Sequence, residues 1–249
     1  MKRYNMIVAL LALMTFTGCK LGDGTDPNPN KSKQIIWSCV YNDIYSGYHH
    51  SLFAIYGEAL LNDNQALAER AKQMLDLPET ISVAVEEERI VLTKSNGLNP
   101  TIYTIVTKGK KLSEGAVWVL SYSTANSSDR TLATFTGKEG SDSAFAISRR
   151  DSEGPINGDI TYTYTAEDQT LAVSLNCTGE IEKVGAKITF VVQPQKLFVF
   201  TNHSSVVGAV DILYKDTDRG TTKSFTAEVV SDFSNMHDII YDNAVYKEN

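Results

Sequence analysis

The spacing of apolar residues changes at Pro78, and this change constrains the fold more than any other feature of the chain. Between Trp37 and Leu75 apolar residues recur at helical spacing, whereas beyond Pro78 they alternate with polar residues. A helical segment therefore comes first, and strands follow it. Because Asn62-Asp63-Asn64 has the composition of a turn, we predict two helices within about 37–75.

Short turns separate the alternating segments that follow Pro78, as in antiparallel hairpins. The connections are too short for the crossover helices that a parallel sheet needs. The predicted fold is mainly β, an antiparallel sandwich or barrel with a short α-helical N-terminal segment. The predicted strands are Ile81–Val85, Arg89–Lys94, Thr101–Lys108, Ala116–Ser123, Thr131–Gly137, Ser143–Arg149, Asp159–Thr165, Thr170–Thr178, Ala186–Gln193, Lys196–Thr201, Val206–Tyr214 and Lys223–Val230.

The N-terminus has the layout of a secretory signal peptide. Lys2 and Arg3 precede an uncharged and mostly apolar run from Met6 to Phe16. As a helix this run would span about 17 Å, short of the roughly 30 Å hydrocarbon core of a bilayer. We therefore expect a cleaved signal and not a membrane-spanning helix.

The residues Phe16-Thr17-Gly18-Cys19 resemble the lipobox of bacterial lipoproteins, although Phe16 stands where leucine is usual. The resemblance implies that residues 1–18 are a signal peptide and that Cys19 carries a diacylglycerol thioether and an acylated amino group. Several acyl chains hold a protein on a membrane more firmly than one. The alternative is an ordinary signal peptide followed by an incidental cysteine. The resemblance covers only the first 19 residues.

A polar segment rich in Gly, Asp, Pro and Asn follows Cys19, which predicts an extended tether over residues 19–33 and a β-rich domain over 34–249. This arrangement is similar to the surface lipoproteins of gut-dwelling Gram-negative anaerobes. The similarity implies a lipid-anchored protein of the outer membrane, on its periplasmic or its surface-exposed face.

Net charge excludes some partners. Removing residues 1–18 takes away two basic residues and no acidic ones, so the net charge changes from −7 to −9. An acidic domain without a large basic cluster is a poor match for nucleic acid or for an anionic lipid surface. The membrane partner that we expect is reached through the lipid anchor.

Two cysteines remain beyond the lipidation site, Cys39 and Cys177. In an oxidising compartment such a pair forms either a long-range disulfide or two buried thiols. Cys177 alternates in phase with Leu171, Val173 and Leu175, so we predict that its side chain points into the core.

Aromatic residues gather in the first predicted helix, and two interpretations stay open. Trp37 and Tyr41, beside the tether, are candidates for a ligand-binding surface on which sugar rings stack. Alternatively, the aromatic residues form a helix stripe that packs on the sheet. Trp118 alternates with apolar neighbours on its strand and is expected in the core.

Motifs for catalysis or metal binding are weak. His49-His50 are adjacent and lack the i, i+4 spacing of zinc ligands, and no G-x-S-x-G elbow occurs. Asp216-Thr217-Asp218-Arg219-Gly220 and Glu86-Glu87-Glu88 are interpreted as turns, not as a calcium loop or a carboxylate pair. No metal and no cofactor are predicted.

The sequence therefore predicts a lipid-anchored binding or accessory module, with a glycan or a lipid-like molecule as its ligand. Two alternatives remain: a structural subunit of a surface assembly, and a hydrolase whose site is built from distant loops. An interior cavity would favour binding, an unpaired sheet edge would favour assembly, and a cleft with clustered carboxylates of raised pKa would favour an enzyme.

Overall fold

A computed structural model describes residues 31–77, 81–94, 100–150, 155–202, 205–232 and 244–248. Helix α1 spans Lys31–Leu61 and helix α2 spans Gln65–Met74. The strands are β1 (Ser82–Val85), β2 (Arg89–Lys94), β3 (Thr101–Val106), β4 (Val117–Thr124), β5 (Ser127–Gly137), β6 (Ala144–Arg150), β7 (Pro155–Thr165), β8 (Thr170–Lys183), β9 (Ala186–Val192), β10 (Phe198–Thr201), β11 (Ser205–Asp216), β12 (Thr222–Asp232) and β13 (Ala244–Glu248).

All thirteen strands belong to one antiparallel sheet in which neighbours in sequence are neighbours in space. Two strands share the place between β8 and β11. β9 and β10 lie successively between β8 and β11, and residues 193–197 interrupt the line between them. The prediction of a mainly β, antiparallel domain with N-terminal helices is confirmed, and the strands form one sheet instead of two packed sheets.

Helix α1 lies against the inner face of this sheet and fills the space that the sheet surrounds. It contacts β3 to β8, and its aromatic side chains reach β10. From Ser51 to Ala59 every residue of α1 is buried, because α2 covers the side that the sheet leaves open. A helix that is apolar all round is expected only where it is enclosed on all sides.

The predicted helix boundaries differ from the observed ones at one end. Helix α1 begins at Lys31, three residues inside the predicted tether. Gly47 lies within the continuous helix, where an added Cβ would make ordinary contacts with Leu175 and Ile156. Asn64 caps α2 by accepting a hydrogen bond from the Leu67 N–H at 3.2 Å.

Two polar anchors fix α1, one to a strand of the sheet and one to the connection between β3 and β4. Arg149 of β6 donates from Nη2 to Asp43 Oδ1 at 3.0 Å and from Nη1 to the Asp43 carbonyl at 3.2 Å. Near the other end of the helix, Glu58 accepts hydrogen bonds from the Leu112 N–H at 2.9 Å and from Ser113 Oγ at 3.2 Å. Buried charges require such partners. The anchors therefore set where the helix lies along the sheet.

The polar motifs singled out in the sequence are turns. Asp216 accepts hydrogen bonds from the backbone of Asp218 and Arg219 between β11 and β12, and Glu86 pairs with Arg89 between β1 and β2. Residues 1–30, which include the predicted signal peptide, Cys19 and most of the tether, lie outside the described residues, as do His203 and His237. Neither described helix is long and apolar enough to cross a membrane.

Candidate functional site

The outer face of β5–β8 carries two parallel rows of mostly polar side chains, which we call the polar rows. In each row the residues are direct register partners on four neighbouring strands, so adjacent Cβ atoms are about 5 Å apart. The first row consists of Thr134, Ser148, Asn157 and Thr178, and the second of Thr136, Ala146, Asp159 and Asn176.

Local sequence pattern explains why these side chains face outward. On β7 and β8 they alternate with buried Ile156, Ile160, Leu175 and Cys177, which pack toward α1. Period-two alternation assigns each set to its own face. The polar rows are thus the solvent face of strands whose opposite face belongs to the core.

A hollow of about 410 Å³ opens within the polar rows. The small side chain of Ala146 and the backbone of Gly158 line its floor. Around that floor stand the hydroxyl groups of Thr136 and Thr178 and the carboxamides of Asn157 and Asn176. Such a ring offers both hydrogen-bond donors and acceptors to a ligand.

Hydrogen bonding within the rows leaves several of these groups available. Ser148 Oγ donates to Asn157 Oδ1 at 2.8 Å, which orients that carboxamide. Asp159 forms an exposed ion pair with Lys138 at 3.0 Å. Within the described part of the chain, the carboxamide of Asn176 has no protein partner, and Asn157 has only the bond from Ser148. Both amides can therefore bind an external polar molecule.

The aromatic residues predicted as a ligand surface lie inside the molecule instead. Trp37 and Tyr41 are 0 % and 2 % exposed, and Trp37 packs against Tyr41 and against Phe198 of β10. Tyr48 stacks on Phe200 with ring centroids 4.0 Å apart. The aromatic residues therefore form a packed stripe on the sheet, and neither Trp37 nor Tyr41 presents a ring face to solvent.

Burial sets the protonation of this stripe and of the nearby thiol. Removal from water raises the pKa of Tyr41 and of Tyr48, and it raises that of Tyr45 to about 12. Burial, with a further contribution from Asp43, raises the pKa of Cys177 to about 12. These groups are therefore neutral at physiological pH.

The two cysteines are separate thiols, and no disulfide joins Cys39 to Cys177. Cys177 is buried in the core, as its alternation with Leu171, Val173 and Leu175 predicted. Trp118 is also buried as predicted, and its Nε1 donates to the Lys110 carbonyl at 2.8 Å. Among the described residues no cluster of three His, Cys, Asp or Glu side chains could hold a metal ion.

Sequence reasoning missed the residues of the polar rows. The predicted strand began at Asp159, whereas β7 begins at Pro155, so Asn157 was left outside it. Asn176 sat on the strand predicted over Thr170–Thr178, which β8 extends to Lys183, and its outward direction follows from alternation. What the alternation could not give is the register that puts Asn157, Asp159 and Asn176 next to one another.

In comparisons with known proteins, no family model, no curated protein and no solved structure matches this chain.

Proposed function

We propose that this chain is a lipid-anchored outer-membrane protein that acts as a binding module for a polyhydroxylated ligand such as a glycan. The signal peptide, the lipobox ending at Cys19 and the polar tether support the anchor. The polar rows support the ligand class, because hydroxyl, amide and carboxylate groups match the donors and acceptors of sugar hydroxyls. The observation that carries this proposal is the hollow over Ala146 and Gly158.

The filled interior supports binding on the outer face. Helix α1 occupies the space inside the sheet, where ligand-binding β proteins often hold a small molecule. Two hollows of the described residues, of about 410 Å³ and about 330 Å³, open on the outer face of the sheet. A ligand of the β5–β8 face would therefore meet an open surface, which suits an extended polymer better than an enclosed small molecule.

Binding without turnover is the better match to the chemistry of this surface. Hydrolysis of a glycoside commonly uses two carboxyl groups on opposite sides of the bond. Of the described residues that line the hollow, Asp159 is the one carboxylate, and Lys138 pairs with it. A hydrolase role remains testable, since turnover that persists after repurification would overturn the assignment as a binding module.

Ligand binding is tested on the soluble chain from Lys20 onward, first with a glycan array and then by calorimetry with the ligands found. Asn157→Ala and Asn176→Ala should each weaken binding about 2- to 12-fold, because each removes hydrogen bonds worth about 0.5–1.5 kcal/mol. Asn126→Ala, the same change on the β4–β5 turn, is the matched control and should leave the affinity unchanged. Equal affinities in all three variants would remove the polar rows as the site.

The anchor is tested separately in a Gram-negative host that processes lipoproteins. Intact-mass analysis should find a triacylated chain that begins at Cys19, in the outer-membrane fraction. Cys19→Ala should abolish acylation and release the protein from membranes, whereas Cys39→Ala should do neither. An unmodified mature chain that begins elsewhere would refute the anchor and leave the ligand proposal standing.

A further inference from the structure

A second region of the outer face, on β10–β12, is apolar. Val199, Val207 and Val230 are direct register partners across these three strands, so their side chains form one contiguous row, which we call the valine row. Val230 is 74 % exposed and Val207 is 41 % exposed. Leu197 lies beside them and lines the same hollow of about 330 Å³. Adjacent exposed apolar side chains are typical of a surface that binds a partner, because contact removes them from water.

The start of α1 lies beneath one end of this row, on the inner face of β10. Trp37 packs against Phe198 with ring centroids 6.2 Å apart, and Phe198 is the neighbour of Val199 on β10. Lys31 precedes Trp37 by six residues, about 9 Å of helix. The point where the tether joins the domain is therefore close to the valine row, and far along α1 from the end that Glu58 anchors.

We propose that the valine row is the face that this protein lays on the membrane that holds its lipid. The inference rests on the anchor at Cys19. Lys31 is the twelfth residue after Cys19, and this length of chain spans at most about 40 Å. The lipid thus keeps the start of α1, and with it the row, within reach of the bilayer surface.

The charges around the row match a zwitterionic lipid interface. Glu228 lies next to the row and accepts hydrogen bonds from Lys196 and Lys247, so the three side chains together carry one positive charge. The mature chain as a whole carries −9, which disfavours attraction to anionic lipid. Contact therefore depends on apolar burial, worth about 25 cal/mol per Å², and on the proximity that the anchor enforces. The polar rows lie on β5–β8, of which β8 is the neighbour of β10.

The test uses a synthetic anchor, so that it does not depend on acylation. The chain from Lys20 carries an N-terminal hexahistidine and binds phosphatidylcholine vesicles that contain a nickel-chelating lipid. In a Cys39→Ser background an environment-sensitive fluorophore is attached through Val230→Cys or, as the matched control, through Thr163→Cys on the outer face of β7. Quenching by a lipid spin label near the headgroups should be at least threefold stronger at position 230.

Further variants identify the contact. Val207→Asp should reduce the quenching at position 230 to the control level, whereas Val117→Asp, an exposed valine on β4, should leave it unchanged. Equal quenching at positions 230 and 163 would overturn the proposal. A fluorescence change at position 230 that depends on protein concentration without vesicles would also overturn it, in favour of a second copy of the chain. Because the anchor here is synthetic, a chain that is never acylated would refute the lipoprotein assignment without altering these outcomes.

Discussion

The polar rows on β5–β8 and the valine row on β10–β12 lie on the same face of one antiparallel sheet and share its pleated geometry. They differ in the side chains that the alternation sends outward: hydroxyls and amides in one region, valines in the other. Threonine and valine are almost the same size and both favour strands. Because the fold accepts either, the choice between them at outward positions carries information about partners and little about folding.

The inner faces of the two regions differ as well. Beneath the polar rows, β6 holds α1 through the buried pair of Arg149 and Asp43. Beneath the valine row, β10 holds the same helix through aromatic contacts to Trp37 and Tyr48. One region of the core therefore depends on charge and the other on packing, and variants can separate the two.

The largest effect is expected from Arg149→Met. The side chains of Arg149 and Asp43 are 5 % and 1 % exposed, so the variant leaves a buried carboxylate without its guanidinium partner and should lower the free energy of unfolding by about 3–5 kcal/mol. Urea denaturation of the soluble chain measures it. Lys138→Met, which breaks an exposed pair with Asp159 in the same region, should cost less than about 1 kcal/mol. Equal losses of stability in Arg149→Met and Lys138→Met would contradict the distinction between the buried and the exposed ion pair.

The next largest effect on stability is expected at Gly208, which lies beneath the valine row. A Cβ at Gly208 would lie 2.7 Å from the Phe198 ring and 2.9 Å from its Cα, so Gly208→Ala should destabilise the protein by about 1–3 kcal/mol. At Gly47 of α1 the nearest atom, on Leu175, is 3.6 Å away. Gly47→Ala should therefore stabilise by about 0.5–1 kcal/mol, since alanine favours a helix. Thermal unfolding measures the stability of both variants. If Gly208→Ala and Gly47→Ala changed the stability in the same direction, the packing explanation would be refuted.

The aromatic contacts should make stability depend on alkaline pH. Burial raises the pKa of Tyr41, Tyr45 and Tyr48 above the ordinary value of 10. Their contribution is therefore complete below pH 10 and is lost as the pH rises from 10 through the raised values. Tyr48→Phe should reduce this slope by up to about 1.4 kcal/mol per pH unit. Urea denaturation from pH 9 to pH 12 provides the measurement. If the dependence of stability on pH were the same in Tyr48→Phe as in the parent chain, the pKa of Tyr48 would not be raised by folding.

The smallest effect is expected at Glu228, beside the valine row. Hydrogen bonds from Lys196 and Lys247 lower the pKa of this carboxyl to about 2 from its ordinary 4.5. The stabilisation is thus present above pH 4.5 and is lost as the pH falls through about 2. An NMR titration of the carboxyl carbon measures the pKa directly. Lys247→Met should move the midpoint of the Glu228 titration toward 4.5. A midpoint already at 4.5 in the parent chain would show that the two lysines do not pair with Glu228.

Much of the fold follows from local pattern. The strand Arg89–Lys94 has the bounds that its alternation predicted, and Cys177 points inward as expected. The strand β13 was missed because Ala244–Glu248 is short and lies beyond the last long alternating segment. Helix α1 begins earlier than predicted because Lys31 and its neighbours give no apolar periodicity, and the preceding prolines indicated an extended tether.

The candidate site was far less predictable. A helix stripe that contains Trp37 and Tyr41 suggests one buried side and one exposed side, and sequence alone cannot tell that the sheet and α2 enclose the helix. The same limit applies outside: Asn157 and Asn176 are nineteen residues apart in the chain and come together only through the register of β7 and β8.

Local periodicity predicted that helices come first, that antiparallel strands follow, and that side chains along a predicted strand alternate between the two faces, because periodicity is a local property of the backbone. The anchor at Cys19 remains a prediction of the same local kind. Tertiary structure alone decided that α1 fills the sheet and that outward residues of different strands form polar and valine rows. Those outcomes depend on strand register and on long-range packing, which no single segment of the chain encodes.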